Sequence, residues 1–377
     1  MPISRMNPIC RIIPPHMLRQ IAARGTPEQR EMALRTLATS AQFRERRQAR
    51  AEVAAPAAAA AGKDRVVYTA DYGATLPGRQ VRAEGAAPSG DAAVDEAYDG
   101  SGHTYDLYQS AYARSSVDGN GLRLDSTVHY QKGYDNAFWN GGQMVYGDGD
   151  EDLPQAQRLF NRFTIAVDVI GHELTHGVTQ YTARLVYANQ PGALNESISD
   201  VFGSLVKQRR LGQTAEQADW LIGQGLFTAN VHGQALRSMK APGTAYDDAV
   251  LGKDPQPAQM KDYDHTTDDN GGVHINSGIP NHAFYVTAAR IGGYAWEKAG
   301  QIWYVALRDK LQARSDFQSA AALTFQTAGE LFGAGSLEQQ AVGQGWAEVG
   351  LGVEGSEKKG CLPSLLSLFR LPARMRG

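Results

Sequence analysis

Two histidines and a glutamate within five positions are the side chains of this sequence best suited to chemistry. His172, Glu173 and His176 lie in the segment VDVIGHELTH at 167–176. On an α-helix, residues four positions apart project from one face about one turn apart, so both imidazoles can bind one metal ion. Neutral imidazoles are zinc ligands, and a carboxylate beside a zinc-activated water can take its proton. The spacing therefore predicts a hydrolytic zinc site with His172 and His176 as ligands and Glu173 as the base.

The alternative for this motif is a helix with two surface histidines and no metal. The apolar residues on either side, among them Ile170 and Leu174, indicate a buried helix. Polar side chains in a buried helix need partners, which favours the metal site.

A third ligand is predicted on the next helix, in the segment NESISD at 195–200. Glu196 and Asp200 are four positions apart, so they share one helix face. Glu196 is predicted to complete the metal site, while Asp200 accepts the free ring N–H of a ligand histidine and Asn195 lies beside them. Alone, the segment would more often be an exposed acidic face; the neighbouring histidine motif favours the metal site.

Hydrophobic periodicity predicts the elements that carry these residues. Short β-type runs separated by Gly, Asp and Pro turns predict a β-rich region up to about residue 160. The runs lie at 66–73, 75–85, 126–131 and 143–150. From residue 153 onward, apolar residues at i, i+3 and i+4 predict helices. Four are predicted, at 158–185, 195–210, 295–311 and 317–333.

Residues 1–50 are predicted to form a unit of their own. The Pro-Pro pair at 14–15 stops any earlier helix, and Thr26 is predicted to cap the charged helix that follows it. An Ala-rich linker is predicted at 51–65 and a basic tail at 354–377. The tail has a short apolar patch between basic ends, for which docking on a membrane or partner and packing on the parent domain are the two alternatives.

The composition excludes several classes of protein. The chain has 377 residues and a formal charge of −3, which argues against a nucleic-acid partner. It has no apolar run long enough for a transmembrane segment. Its two cysteines, Cys10 and Cys361, fit neither a disulfide framework nor a cysteine-based zinc site. The first twenty residues lack the apolar stretch of a classical signal peptide, so we expect the chain to be cytoplasmic at synthesis.

Four motifs in the same order carry a resemblance to a known family. They are DNAFWNGGQMVYGDGD at 135–150, GHELTH at 171–176, ALNESISD at 193–200 and DNGGVHINSGIPNHAFY at 269–285. With them the chain resembles the thermolysin-like zinc metallopeptidases, the M4 family, from about residue 66 to residue 352.

The resemblance implies an α+β fold with a two-lobed catalytic domain. The β-rich lobe would cover 66–165 and the α-helical lobe 166–353, with the active-site helix between them. It implies a zinc-dependent neutral endopeptidase with one zinc ion, acting on peptides and proteins as a monomer. It also implies secretion, which without a classical signal peptide would follow a non-classical route.

The resemblance assigns roles that spacing alone does not. His274 would stabilise the oxyanion of the tetrahedral intermediate, with Asp269 orienting its ring and Tyr187 sharing the task. Outside its motif, His274 would more often be an ordinary loop histidine.

The substrate cleft is assigned in the same way. Asn136 and Ala137 match an edge strand that pairs with the substrate backbone, and Arg237 matches an arginine that contacts the carbonyl after the scissile bond. The implied pocket for the residue after that bond is apolar, so cleavage before Leu, Phe, Ile or Val is implied. The residues lining it are Phe160, Phe163, Val169, Ile222 and Leu236.

The N-terminal segment IIPPHML resembles the short propeptide of the protealysin-like subgroup. This implies a removable inhibitory domain, which we call the leader, at residues 1–50. Its segment from Pro14 to Leu18, with Pro15, would lie in the substrate cleft. Cys10 has two interpretations: a thiolate that caps the zinc, or a packed apolar residue, the commoner state of a lone cysteine.

A double calcium site of the larger relatives is expected to be absent. Of its acids, Asp168 and Asp219 remain, but Lys207, Leu221 and Gln224 stand where the family has glutamates. Calcium needs several oxygen ligands, and a lysine adds a repelling charge. The protein's stability is therefore expected not to depend on calcium.

The alternative function is an inactive relative that binds peptides or proteins. That hypothesis requires a broken motif, and none of the positions assigned to zinc binding and proton transfer is broken.

Overall fold

The computed structural model describes residues 10–50 and 62–353, leaving out the side chains of residue 10 and of residues 40–50. Most of the predicted linker, 51–61, and the predicted tail, 354–377, lie outside the described residues. The strands are β1 (Cys10–Arg11), β2 (Arg65–Thr69), β3 (Arg79–Ala83), β4 (Leu124–Val128), β5 (Ala137–Trp139), β6 (Met144–Tyr146), β7 (Leu221–Ile222), β8 (Arg237–Ser238), β9 (Asp247–Asp248) and β10 (Gly252–Lys253). The helices are α1 (Pro15–Arg24), α2 (Pro27–Arg50), α3 (Ala92–Tyr112), α4 (Val167–Tyr181), α5 (Asn189–Leu211), α6 (Asp269–Asn276), α7 (Gly278–Ile291), α8 (Ala299–Asp309), α9 (Phe317–Phe332) and α10 (Leu337–Glu348).

A mixed six-stranded sheet forms the N-terminal part of the fold, in the order β1-β5-β6-β4-β2-β3. β4 is parallel to β2 and β6, and the other pairs are antiparallel. Each of the four predicted β-type runs overlaps one of these strands: β2, β3, β4 and β6. Strand β1 belongs to the leader and covers β5, which is the edge of the sheet formed by the rest of the chain.

The β-rich region also contains a long helix, α3, that the sequence analysis did not predict. Asp91 caps it by accepting hydrogen bonds from the amides of Ala93 and Val94 at 2.9 and 3.3 Å. Glycine weakens a helix interior, and this helix contains Gly100 and Gly102. A Cβ atom on Gly100 would lie 2.3 Å from Cδ1 of Ile170 in α4. Gly100, which lowers the helix propensity of this segment, is therefore needed for the packing of α3 on α4.

Helices α4 and α5 pack closely and carry the two halves of the predicted metal site. A Cβ atom on Gly203 would lie 2.4 Å from the backbone oxygen of Asp168, and one on Gly171 would lie 3.1 Å from Cα of Gly203. These two glycines let the backbones approach without side chains between them. The close approach brings ligands on different helices to one point.

Three helix predictions were wrong in extent, and three helices besides α3 were not predicted. The helix predicted at 195–210 begins at Asn189. The helix predicted at 158–185 begins only at Val167, and the one predicted at 295–311 begins at Ala299. Helices α6, α7 and α10 were missed. In α6, Asn270, Gly271 and Gly272 have φ between 53° and 85°, a left-handed turn that interrupts any helical period.

The leader folds as a pair of helices, α1 and α2. Thr26 caps α2 as predicted, and Gln29 makes the cap reciprocal: the Gln29 amide donates to Thr26 Oγ1 at 3.3 Å and the Thr26 amide donates to Gln29 Oε1 at 2.7 Å. Arg19 pairs with Asp268 at 3.0 Å, which ties the leader to the helical part of the chain. Among the described helices, none has the length and apolar character needed to span a membrane.

Candidate metal centre and substrate cleft

The three predicted ligands converge at one point in the interior. His172 and His176 extend from α4 and Glu196 from α5, and their ligand atoms lie within 4.8 Å of one another. The Nε2 atoms of the two histidines are 3.0 Å apart, and each lies 3.5 Å from an oxygen of Glu196. The exposed fractions of these three side chains are 2% or less.

The outward nitrogens of both histidines have hydrogen-bond partners. His172 Nδ1 lies 2.8 Å from Asp200 Oδ1, and His176 Nδ1 lies 2.9 Å from Asn195 Oδ1. Burial acts to raise the pKa of Asp200, but the nearby Arg237 and His172 hold it well below its ordinary value. Because Asp200 is therefore an anion that can only accept, the hydrogen of His172 lies on Nδ1. This leaves the lone pair of Nε2 directed at the cluster.

The cluster fits a cation such as zinc. Two Nε2 lone pairs facing each other cannot form a hydrogen bond, so a metal ion between them resolves the contact. Glu196 Oε2 is buried without a hydrogen-bond partner among the described residues, and Tyr187 donates its hydroxyl to the other oxygen. Two imidazoles and a carboxylate are a ligand set typical of catalytic zinc, which keeps a further position open.

Glu173 lies beside this cluster with one oxygen available. Its Oε2 accepts a hydrogen bond from the Trp139 amide at 3.0 Å, while its Oε1 is buried without a partner among the described residues. Burial, and then the Glu196 carboxylate, raise the pKa of Glu173 well above its ordinary value. A cation bound by Glu196 would cancel the second effect and favour an ionised base.

His274 and Tyr187 face the cluster from another side. Asp269 Oδ1 lies 2.8 Å from His274 Nδ1, and Asp269 Oδ2 accepts from the His274 amide at 3.0 Å. Burial lowers the pKa of His274, but Asp269 and Glu196 outweigh it and raise the pKa to about 9. The Nε2–H of His274 is thus available as a donor, 3.3 Å from the Tyr187 hydroxyl.

The predicted cleft residues contact the leader in this structure. The side chain of Asn136 accepts from the Ile13 amide at 3.0 Å and donates to the Ile13 carbonyl at 3.2 Å. Ala137 accepts from the Ile12 amide at 3.3 Å. Arg237 forms a two-bond ion pair with Asp200, both contacts at 2.8 Å, and also donates to the Ile12 carbonyl at 3.2 Å.

The five residues of the predicted apolar pocket are all buried and belong to one apolar cluster. Ile12 of the leader is fully buried in the same cluster. The members are Phe160, Phe163, Val169, Ile222 and Leu236.

The leader residues bonded to the cleft precede the segment predicted from the Pro-Pro motif. Arg11, Ile12 and Ile13 make these hydrogen bonds, whereas Pro14 precedes the first residue of α1 and Pro15 is that residue. Leu18 lies in α1 and is buried. The backbone of Cys10 pairs with Trp139; its side chain lies outside the described atoms, so both interpretations of the thiol stay open.

Sequence reasoning missed several contributors to the site. Asn281 donates to Asp200 Oδ2 at 2.8 Å, and the Trp139 amide fixes Glu173. Both lie inside the motifs quoted above, but their partners are distant in sequence. His16 was also missed: its Nε2 lies 3.2 Å from the Tyr246 hydroxyl, and its Nδ1 is buried without a partner among the described residues.

The burial of His16 predicts that the leader binds the cleft less tightly at acid pH. Burial lowers the pKa of His16 to about 4; Asp269 opposes this, and His274, Arg237 and Arg19 add to it. A released leader would have an ordinary histidine pKa of about 6.5. The bound state is therefore favoured above pH 6.5 and loses stability as the pH falls toward 4.

We expect the opening equilibrium of the leader to rise roughly 20-fold between pH 7.5 and pH 5. Hydrogen exchange of α1 measures it in the Glu173→Gln chain, which lacks the predicted base and is the non-cleaving chain used in these experiments. His16→Gln is the control, since it should remove most of the difference between the two pH values. An equal pH dependence in both proteins would show that His16 is not responsible.

Comparisons with known proteins agree with this geometry. A family model described as thermolysin metallopeptidase, catalytic domain, matches residues 36–180, and one described as thermolysin metallopeptidase, alpha-helical domain, matches residues 183–351. A third, protealysin propeptide, matches residues 10–38.

Individual relatives match most of the chain. An extracellular metalloprotease of Pectobacterium carotovorum subsp. carotovorum is 51% identical over 352 residues, which is 93% of this chain and 98% of the relative. An extracellular minor metalloprotease of Serratia marcescens is 46% identical over 79% of this chain and 81% of its own length. Among solved structures, the precursor of protealysin from Serratia proteamaculans has a TM-score of 0.82 and 53% identity, covering 91% of this chain and 99% of that one.

Proposed function

The chain belongs to the thermolysin family of metallopeptidases and carries a protealysin-type propeptide, and from this we propose how its own residues perform the reaction. It is a metalloendopeptidase made as a precursor. The proposal concerns the assignment of single residues, the preferred substrates and the calcium independence. The observation that carries it is the convergence of His172, His176 and Glu196, with both Nε2 atoms turned toward the carboxylate.

One zinc ion is the proposed metal, held by these three side chains. When bound, it supplies a positive charge that polarises the substrate carbonyl and lowers the pKa of a water molecule. The Nδ1 contacts to Asp200 and Asn195 hold the two imidazoles in the ligating tautomer. Arg237 and Asn281 in turn hold Asp200.

Glu173 is the proposed carrier of protons. Its unpartnered Oε1 takes a proton from the attacking water and later donates it to the leaving amine. The amide of Trp139 holds the other oxygen, so the carboxylate cannot rotate away during the reaction.

His274 and Tyr187 are the proposed donors to the carbonyl oxygen as it gains negative charge. Asp269 accepts the Nδ1–H of His274 and, with Glu196, raises the pKa of the ring, so that the protonated ring also carries a hydrogen on Nε2. Donors that are already oriented lose no free energy to reorganisation in the transition state.

Cleavage is proposed on the N-terminal side of bulky apolar residues. The pocket lined by Phe160, Leu236 and their neighbours has no charged lining residue among those five. A Leu, Phe, Ile or Val side chain gains from burial there, whereas an Asp side chain would lose its hydration without gaining a partner.

The metal and the specificity are tested together. Metal analysis should give one zinc per chain, and a chelator should remove both the zinc and the peptidase activity, which zinc then restores. Two peptides that differ only in Leu or Asp after the scissile bond should differ in kcat/KM by at least about 100-fold. Full activity in the chelated, metal-free protein, or no preference between the peptides, would contradict the proposal.

An inactive binding module is the rejected alternative. It would need a missing ligand or base, and every residue proposed for these roles is present and buried at the site.

Three further properties are proposed. The chain acts outside the cell, since relatives with most of its length are named extracellular proteases, and a non-classical route would export it. It works as a monomer, which sedimentation of the mature protein tests. It lacks the double calcium site, because Lys207 holds the remaining acids Asp168 and Asp219.

A further inference from the structure

The leader crosses the cleft as a strand whose direction can be read from its hydrogen bonds. Strand β1 runs antiparallel to β5, with Cys10 opposite Trp139 and Arg11 opposite Phe138. The Ile12 amide donates to the Ala137 carbonyl at 3.3 Å. The strand thus occupies the sheet edge that the family resemblance assigns to the substrate backbone.

Two consecutive carbonyl groups of this strand meet the two proposed carbonyl-binding side chains. His274 Nε2 donates to the carbonyl oxygen of Arg11 at 2.9 Å. Arg237 donates to the carbonyl oxygen of Ile12 at 3.2 Å. In the proposed function, His274 binds the carbonyl of the scissile bond, and the family resemblance assigns Arg237 to the next carbonyl. The bond in the position of the scissile bond is therefore Arg11–Ile12.

The side chain after this bond fits the same register. Ile12 is fully buried, in the apolar cluster that contains the five pocket residues. The next residue, Ile13, uses both its amide and its carbonyl to bond the side chain of Asn136. The backbone hydrogen bonds, the two carbonyl contacts and the complete burial of the apolar Ile12 side chain all agree with this alignment.

We propose that Arg11–Ile12 is a cleavage site within the leader, hydrolysed by the chain's own active site before the leader is removed. This rests on the proposed function. A water molecule adds to the Arg11 carbonyl carbon, the C–N bond breaks, and the proton that Glu173 took from the water goes to the Ile12 nitrogen. The products are a carboxylate on Arg11 and a new amino terminus on Ile12.

The cut has a defined consequence for the two halves of the cleft. Of the described residues, only the two of β1 lie on the N-terminal side of the bond. On the other side, Ile12 and Ile13 continue directly into Pro14 and α1, which packs against α2. Within the described residues, the cut separates the two residues of β1 from the rest of the leader, whereas the chain from Ile12 onward stays joined to α1. The cut leader becomes a weaker inhibitor that occupies one half of the cleft.

The full-length chain tests this proposal. It is purified without zinc, zinc is added, and intact mass and N-terminal sequence are followed over time. We expect a species that begins at Ile12, and a fragment ending at Arg11, before the mature protein appears. Because the reaction is intramolecular, its rate constant should not change over a tenfold range of protein concentration.

Variants at one position provide the matched comparison. Ile12→Leu should keep the cut at this bond, whereas Ile12→Asp should slow it at least 100-fold. The Glu173→Gln chain should show no cut. A chain that matures without ever showing either product, or an equal cut in the Glu173→Gln chain, would overturn the proposal.

Two further measurements keep the outcomes distinct. In the metal-free Glu173→Gln chain, hydrogen exchange should show that the amides of Ile12 and Ile13 are protected. Adding Ile12→Asp should remove this protection while α1 stays protected. Unprotected amides at Ile12 and Ile13 in the Glu173→Gln chain would contradict the proposed alignment. Mature protein is also tested on an unrelated peptide with Leu after a single cleavable bond. Hydrolysis of that peptide with no cut at Arg11–Ile12 overturns only this inference, whereas failure of both reactions contradicts the proposed function.

Discussion

The Glu173→Gln chain is expected to hydrolyse peptides about 10⁴-fold more slowly in kcat/KM, a loss of about 5 kcal/mol of transition-state stabilisation. The amide has the shape of the carboxylate, and its oxygen can still accept the hydrogen bond from the Trp139 amide. It cannot take a proton from water at neutral pH, nor return one to the leaving amine. Both proton transfers are lost in one substitution.

Metal content separates this effect from loss of the site. Glu173 is not among the three clustered ligands, so the Glu173→Gln protein should retain one zinc per chain. Glu196→Gln should lose zinc and activity together. Glu216→Gln, an exposed glutamate, is the matched control and should change neither. A Glu173→Gln protein with more than a tenth of the parent activity would contradict the role of Glu173.

Self-processing gives a second readout of the same substitution. The parent chain should lose about its first fifty residues after zinc is added, whereas the Glu173→Gln chain should stay full length. Identical processing of the two purified proteins would argue that another protease removes the leader.

The candidate metal ligands were predictable because their geometry is local. The spacing of His172 and His176 on one helix, and of Glu196 and Asp200 on the next, fixes which side chains share a face. The spacing alone does not predict that the two helix faces lie against each other. That depends on Gly171 and Gly203, whose missing side chains let α4 and α5 approach.

The features that were not predicted depend on contacts between residues far apart in the sequence. Helix α3 was missed because Gly100 lowers its propensity and is explained only by Ile170, seventy positions away. The register of the leader could not be derived either, since it depends on Asn136 and Arg237, more than 120 and 220 positions away from the strand they bind. The Pro-Pro motif marks where the leader turns into α1, directly after the residues that lie in the cleft.

We predict that the protein does not require calcium, and the contacts of Lys207 give a physical argument for this prediction. The ammonium group of Lys207 lies 3.0 Å from Asp168 Oδ2 and 2.9 Å from Asp219 Oδ1, and it donates to the Leu221 carbonyl at 2.6 Å. Burial lowers the pKa of Lys207, but the two carboxylates outweigh it and raise the pKa above its ordinary value. The positive charge of Lys207 therefore lies among oxygen atoms that could otherwise bind a metal cation.

Lys207→Met is accordingly expected to lower the free energy of unfolding by about 3–5 kcal/mol. The methionine keeps most of the length of the side chain but leaves Asp168, whose side chain is only 1% exposed, without its counter-charge. Denaturant unfolding of the non-cleaving chain measures the loss. Lys240→Met, at an exposed lysine, should change the stability by less than about 0.5 kcal/mol. A Lys207→Met protein as stable as this control would show that the cluster contributes nothing.

Charge reversal at the same position tests whether the lysine stands in for calcium. The melting temperature of the parent should not change with millimolar calcium, because Lys207 repels a second cation from Asp168 and Asp219. Lys207→Glu would place three carboxylates around the Leu221 carbonyl, a set of hard oxygen ligands. This variant should unfold more readily than the parent in chelator and be restabilised by calcium, by about 2.7 kcal/mol when calcium reaches 100 times its dissociation constant. Magnesium should restabilise it less, since it demands a tighter octahedral shell. If calcium stabilised the parent, the idea that the Lys207 ammonium group takes the place of a calcium ion would be contradicted. If calcium stabilised only the Lys207→Glu protein, the side chain at position 207 would decide whether the site contains a lysine charge or binds a calcium ion.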